Sequence, residues 1–130
     1  MGQVSERILI VDDEPALLKM MSVYLGRLGF EVLAVETTEK AWAEVKAAPR
    51  SFALAVLDAS MTGLGMEELA SRILRSSGRV CVIVASGYPV DMSAMEATAP
   101  GRVAFLHKPF TPEMLAAEVR RMLGSQEKGV

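Results

Sequence analysis

The chain has 130 residues, with 14 Lys and Arg against 16 Asp and Glu, a formal net charge of -2. This length fits one domain that can bury a core without disulfides, and the single cysteine, Cys81, excludes a disulfide framework. The near-balanced charge and the absence of a basic run argue against nucleic-acid binding. No apolar stretch is long enough to cross a membrane, so we expect a cytoplasmic protein.

Five short apolar runs recur at fairly even spacing along the chain. They are Ile8–Val11, Val32–Val35, Ala53–Leu57, Val80–Ala85 and Val103–Leu106. Each run is too short for a helix, and most are continuously apolar, which is typical of strands buried on both faces of a parallel sheet.

Between the runs, apolar residues recur at helical spacing. Gly29 ends the first such segment and Pro49 ends the second, while Thr111 and Pro112 occupy the cap and first-turn positions of the fifth. We expect the fourth helix near residues 90–97. The helical stripes comprise Leu17, Met21, Leu25 and Leu28; Ala41, Val45 and Ala48; Leu69 and Ile73; and Leu115, Val119 and Met122.

Strand and helix therefore alternate five times. This pattern predicts a doubly wound α/β fold, a five-stranded parallel sheet with helices on both faces and right-handed crossovers. We expect a single domain over residues 1–130, with a core at about 6–123 and a short polar tail at 124–130 that frays.

Polar residues follow four of the five predicted strands, at the sheet edge where α/β proteins bind ligands. They are Asp12, Asp13 and Glu14, then Asp58, then Ser86, and finally Lys108. Carboxylates gathered there would repel one another unless a cation compensates them. A site with few carboxylates suits Mg²⁺, with Mn²⁺ as a possible substitute. The alternative for the first three acids is capping of the first helix.

Asp58 is harder to explain as a helix cap, because it ends a buried apolar run where an unpaired carboxylate is costly. It needs a metal or an ammonium partner, and Lys108 could hold either a carboxylate or a phosphoryl oxygen. A purely structural ion pair between Asp58 and Lys108 is the alternative.

Taken together, four segments resemble the receiver domain of two-component response regulators, of the chemotaxis-receiver type. They are Ile8–Glu14, Ala53–Asp58 followed by Met61, Val84–Gly87 and Phe105–Phe110. The resemblance covers about residues 6–123 and implies a flavodoxin-like sheet with strand order 2-1-3-4-5.

The resemblance also implies the chemistry of the site. Asp58 would be the phosphoacceptor, taking a phosphoryl group from a phosphohistidine of a sensor histidine kinase or histidine phosphotransfer domain. Asp13, Asp58 and the backbone carbonyl of Ser60 would hold Mg²⁺ directly, and Asp12 would act through a bound water. Lys108 would neutralise charge on the transferring group.

The same resemblance implies a switch. Ser86 would donate to a phosphoryl oxygen, Phe105 would move inward behind it, and the peptide bond before Pro109 would be cis. The surface of the fourth helix, fifth strand and fifth helix would pass the signal to an effector or to other parent-chain domains, with a homodimer as a further possibility. Residues 86–89 and 108–111 look most like receivers fused to sensor histidine kinases. The isolated domain would have no enzymatic activity beyond self-phosphorylation and autodephosphorylation.

Three residues depart from the family pattern. Thr62 stands where the family often has proline, which removes a rigidifying element from the loop after Asp58. Met66 replaces a usual glycine, and Ser86 replaces the commoner threonine while keeping the hydroxyl.

Proteins of other functional classes would carry different residues at these positions. An aspartate-nucleophile phosphatase would have a second Asp at the position of Ser60. A flavodoxin-like cofactor binder would need a phosphate-cradling loop where Asp12 and Asp13 would repel phosphate. A non-phosphorylated structural receiver is disfavoured because all the site residues are present. We expect His107 to be an ordinary strand-end residue and Trp42 to serve packing.

Overall fold

The computed structural model describes residues 6–60 and 65–128, and describes side chains through residue 124. Strands and helices alternate through these residues. The strands are β1 (Arg7–Val11), β2 (Glu31–Val35), β3 (Leu54–Asp58), β4 (Cys81–Ser86) and β5 (Val103–His107). The helices are α1 (Pro15–Arg27), α2 (Thr38–Ala47), α3 (Met66–Ser76), α4 (Ser93–Thr98) and α5 (Pro112–Lys128).

The five strands form one parallel sheet in the order β2-β1-β3-β4-β5. The predicted fold and strand order are therefore confirmed. Every predicted strand lies within a residue or two of its observed position. Because β1, β3 and β4 have a neighbour on both sides, their carboxyl ends lie in the middle of one sheet edge.

The core has two apolar layers, one on each face of the sheet. Leu9 and Val11 of β1 belong to the layer under α2, α3 and α4, whereas Ile8 and Ile10 belong to the layer under α1 and α5. Successive side chains of a strand point to opposite faces. A strand covered on both faces is therefore apolar at every position, which explains the continuous runs in the sequence.

Local signals end and begin the helices as predicted. Gly29 has a φ of 100°, and its amide donates to the carbonyl of Gly26. The amide of Phe30 donates to the carbonyl of Leu25, and these two hydrogen bonds end α1. Thr111 accepts from the amide of Met114 at 3.1 Å and caps α5. Within the described residues, no helix is both long and apolar enough to cross a membrane.

Two helices differ from their expected lengths. The fourth helix begins at Ser93 rather than near residue 90, because Asp91 accepts from both the amide and the hydroxyl of Ser93 and so holds a turn there. The fifth continues to Lys128, so the expected frayed tail is helical through that residue. Met95 is buried in the core, and Met92 is partly buried and packs against it.

Candidate functional site

Backbone hydrogen bonds hold the carboxyl ends of the strands beside one another. Asp12 donates to the carbonyl of Val35, Ala59 donates to that of Ala85, and Lys108 donates to that of Ser86 at 2.8 Å. The polar residues that follow the strands are thereby fixed at a single edge. We call the group formed by Asp12, Asp13, Asp58 and Lys108 the acidic edge.

Asp58 is the last residue of β3 and is only 3% exposed. Its carboxylate lies 3.2 Å from the ammonium of Lys108. The amide and the hydroxyl of Ser60 also donate to its Oδ1, and that hydroxyl lies 3.1 Å from Oδ2. The carboxylate therefore has the charge partner that its buried position requires.

Asp12 lies at the end of β1 and is also buried. Its Oδ1 accepts from the amide of Glu14 at 2.8 Å, and its Oδ2 lies 3.5 Å from Lys108. Burial raises the pKa of Asp12 above its ordinary value of 3.8, and the charge of Asp58 adds to the rise, while Glu14 and Lys108 oppose it.

Lys108 bridges the two buried carboxylates. Its partial burial alone would lower its pKa, but the charges of Asp12 and Asp58 outweigh that effect, so the pKa is raised above 10.5. The ammonium is therefore charged at neutral pH. Lys108 follows β5, and the cis peptide bond between Lys108 and Pro109 is present as predicted.

The carboxylates of the acidic edge fit a divalent cation. One oxygen from each of Asp12, Asp13 and Asp58 lies within 4.8 Å of the others, and Asp13 is exposed to solvent. Three carboxylates outnumber the single ammonium among them, so positive charge is lacking. An all-oxygen donor set with an open side fits a hard cation that keeps part of its water shell.

A cavity of about 430 Å³ opens beside Asp58. Ser86, the last residue of β4, lines it together with Ser60, Tyr88 and Lys108. Ser86 is buried, and its Oγ accepts from the amide of Tyr88 at 3.0 Å. The hydroxyl is thereby held at the cavity wall, and its hydrogen can be donated to an oxygen of a ligand.

The remaining predicted residues take ordinary positions. Phe105 is half-buried, packs against the layer under α2 to α4, and meets the ring of His107 edge-on at 6.3 Å. His107 is exposed at the end of β5. Trp42 is partly buried, with the guanidinium of Arg72 at 5.5 Å from its ring.

Two contacts were not predicted from the sequence. The hydroxyl of Ser60 donates to Asp58, and Lys108 contacts Asp12 as well as Asp58. An aspartate often accepts from the backbone amide two residues later, as Asp58 does from Ser60, and that turn brings the Ser60 hydroxyl within reach of the carboxylate. The contact between Lys108 and Asp12 depends on how far the lysine side chain reaches across two strands. The spacing of residues along the chain does not predict that distance.

The loop after Asp58 is described only in part. Met61, Thr62 and Gly63 lie outside the described residues. Met66 is the first residue of α3 and is buried in the core, and the carbonyl of Gly65 accepts from the amide of Leu69 at 2.9 Å. The methionine found in place of the usual glycine thus adds to the core.

Comparisons with known proteins agree with this geometry. The response regulator GtcR of Aneurinibacillus migulanus is 28% identical over 120 residues, which cover 92% of this chain and 48% of that protein. The DNA-binding response regulator MtrA of Mycolicibacterium smegmatis is 27% identical over 127 residues, which cover 98% and 54%. The chain thus spans about half the length of these curated relatives.

Solved structures and a family model point the same way. A response regulator receiver domain protein (CheY-like) from Methanospirillum hungatei JF-1 aligns with a TM-score of 0.84 and 28% identity, over 98% of this chain and 100% of that one. The model of the response regulator receiver domain matches residues 8–120, nearly the whole described fold. The chain therefore belongs to the response regulator receiver domain family.

Proposed function

We propose that Asp58 accepts a phosphoryl group from a phosphohistidine of a sensor histidine kinase or histidine phosphotransfer domain. The observation that carries this proposal is the position of the Asp58 carboxylate, beside a cavity that Lys108 and Ser86 also line. A nucleophile, a fixed positive charge and a hydroxyl donor thus surround a space large enough for a phosphoryl group.

In the proposed transfer, one oxygen of Asp58 attacks the phosphorus atom. A new O–P bond forms while the P–N bond to the histidine breaks, and the histidine nitrogen leaves with the electron pair. Lys108 balances the negative charge of the phosphoryl oxygens, and Ser86 donates its hydroxyl hydrogen to one of them. The hydroxyl of Ser60, which donates to both oxygens of Asp58, has to release the attacking oxygen.

The reaction is proposed to depend on Mg²⁺, with Mn²⁺ as a substitute. Asp13, Asp58 and the backbone carbonyl of Ser60 would hold the ion directly, and Asp12 would act through a water. When bound, the ion would supply positive charge to the phosphoryl oxygens. The deficit of positive charge among the three carboxylates supports this assignment.

Signal output is proposed to follow phosphorylation. Ser86 turns toward the phosphoryl group, Phe105 moves inward, and the surface of α4, β5 and α5 changes for an effector. Phe105 is half-buried and packs against the margin of the core layer under α2 to α4, which is compatible with two positions of its ring. The effector is a further domain of the parent chain or a separate protein, and the signal acts in the cytoplasm. The receiver of a hybrid sensor histidine kinase is the alternative context.

A mass measurement with a small phosphodonor tests the reaction. We expect the wild type to gain one phosphoryl group with acetyl phosphate only when Mg²⁺ is present. Asp13→Asn should need much more Mg²⁺ for the same gain, whereas Glu36→Gln, which removes an exposed acid outside the acidic edge, should behave like the wild type. Equal gain with and without Mg²⁺ would contradict the metal assignment.

A further inference from the structure

A second concave site lies at the opposite edge of the sheet from the acidic edge. The connections from α2 to β3 and from α3 to β4 meet there, at the amino ends of the strands. The cavity has a volume of about 610 Å³, and its lining consists of Arg50, Arg75, Ser76, Ser77, Gly78 and Arg79. Three of these six residues are arginines and none is acidic, so the cavity is strongly cationic. We call it the arginine cavity.

The positive charge of this cavity is largely unbalanced. Arg79 lies 3.5 Å from Glu6, and both side chains are well exposed, so that pair is weak. Arg50 and Arg75 form no ion pair within the part of the chain that the structure describes. Three arginine residues thus line one concavity in a protein whose formal net charge is -2. Arg75 also lines a neighbouring cavity together with Glu67 and Asp91, but it forms no ion pair with either of them.

Three of the carbonyl groups beside the arginine cavity already accept hydrogen bonds. The carboxyl end of α3 carries the negative end of the helix dipole. Arg102 donates to the carbonyls of Leu74 and Ser77, each at 2.8 Å, and the hydroxyl of Ser76 donates to the carbonyl of Ile73 at 2.6 Å. Three carbonyl acceptors at this helix end are therefore satisfied, which reduces their repulsion of an anion.

Both loops that carry the arginines are held by hydrogen bonds. The hydroxyl of Ser51 donates to the carbonyl of Ala48 at 2.9 Å and accepts from Arg7 at 3.0 Å, which fixes the turn around Arg50. The amide of Arg79 donates to the hydroxyl of Ser77 across the other turn. A preorganised backbone lowers the entropy lost when a ligand binds.

The lining selects among anions. A guanidinium presents paired N–H donors that match two phosphate oxygens, and several of them together favour a ligand with several phosphate charges. The volume falls within the range of small-molecule sites. None of the six lining residues is aromatic, so the cavity offers no aromatic ring on which a nucleobase could stack.

We propose that the arginine cavity binds a small anion with two or more phosphate groups, recognised through the phosphates alone. Inorganic pyrophosphate and the phosphate tail of a nucleotide share this chemistry. The site is separate from the phosphoacceptor, because the two lie at opposite edges of the sheet. Binding there therefore does not require Asp58.

Amide chemical shifts test the proposal. Metal-free, ¹⁵N-labelled protein is titrated with pyrophosphate at low salt, and then with ADP. We expect saturating shifts at Ser77, Gly78 and Arg79, and affinity for pyrophosphate that falls about tenfold in Arg75→Gln and in Arg50→Gln. Arg120→Gln removes the same charge from α5 on the other face of the sheet and should change the affinity less than twofold.

The outcomes separate the proposal from its competitors. Similar affinity for pyrophosphate and ADP supports recognition through phosphates, whereas ADP binding without pyrophosphate binding contradicts it. Shifts confined to residues around Lys108 would place the anion at the acidic edge and overturn the proposal. If Arg75→Gln and Arg120→Gln weakened pyrophosphate binding equally, the net charge of the protein would explain the affinity, and the proposal would be overturned. Well-dispersed spectra for each variant show that the fold is intact.

Discussion

Replacing Lys108 with methionine removes the ammonium that contacts both buried carboxylates of the acidic edge. Methionine keeps most of the apolar stem of the side chain, so the change acts mainly on charge. Asp58 and Asp12 are 3% and 2% exposed and would lose the ammonium at 3.2 Å and 3.5 Å. We expect Lys108→Met to lower the free energy of unfolding of the metal-free protein.

Coulomb's law gives the size of the effect. At an effective dielectric constant of about 20, each contact of Lys108 contributes about 5 kcal/mol of attraction. Each pair of carboxylates, taken at the 4.8 Å upper limit of their separation, contributes about 3.5 kcal/mol of repulsion. The two attractions about match the three repulsions. Without the lysine the repulsion is unopposed, but protonation of Asp12 and entry of water relieve part of it. We therefore expect a measured loss of about 3 kcal/mol.

Urea denaturation followed by circular dichroism measures this loss. Burial raises the pKa of Asp12, so its ionised form destabilises the fold, and stability returns as the pH falls through the folded pKa. Loss of Lys108 raises that pKa further. The difference in unfolding free energy between Lys108→Met and the wild type should therefore shrink as the pH is lowered from neutral. Under the proposed metal assignment, added Mg²⁺ should also reduce this difference in stability, because carboxylates that have lost the ammonium attract the cation more strongly.

Lys46→Met is the matched control. Lys46 is an exposed lysine in the last turn of α2, and its loss should change stability by no more than about 0.5 kcal/mol. The electrostatic reasoning would be refuted if Lys108→Met were as stable as Lys46→Met in metal-free buffer at neutral pH. A gap that grew on acidification would refute the assignment to Asp12.

Three further results are expected. In urea denaturation, Leu69→Ala should lower the free energy of unfolding by about 2–5 kcal/mol, whereas Val23→Ala, at a surface position, should lower it by no more than about 0.5 kcal/mol. A similar loss of stability in both variants would contradict the assignment of Leu69 to the core. Ser86→Ala should cost about 1 kcal/mol through the acceptor lost to Tyr88, and Ser86→Thr should cost less; the reverse order would count against that bond. Burial raises the pKa of the Cys81 thiol, so iodoacetamide at neutral pH should label it only as fast as the protein opens; immediate labelling of the native protein would refute its burial.

The fold followed from the sequence because local and global patterns agree. The runs at Ile8–Val11 and Val80–Ala85 are apolar at every position, as buried parallel strands must be, and Gly29 and Thr111 mark helix ends by conformations and hydrogen bonds of their own. The start of α4 was less predictable, because Asp91 competes for the amide of Ser93 and no apolar stripe opposes it.

The site was predicted in outline, because parallel strands deliver their carboxyl ends to one edge. That rule brings Asp12, Asp58 and Lys108 together without any knowledge of distances. It does not say which carboxylate the ammonium contacts, because that depends on the side-chain path of Lys108. The arginine cavity gave no sequence signal either, since Arg50 and Arg79 lie 29 residues apart and meet only when two loops fold together.

The most direct test of the central claim is the position of the phosphoryl group. The protein is phosphorylated with acetyl phosphate and Mg²⁺, reduced with borohydride to trap any acyl phosphate as homoserine, digested and mapped by mass spectrometry. We predict homoserine at position 58 in the wild type and none in Asp58→Asn. Homoserine at Asp12 or Asp13, or an unmodified Asp58 in protein that has gained a phosphoryl group, would contradict the account.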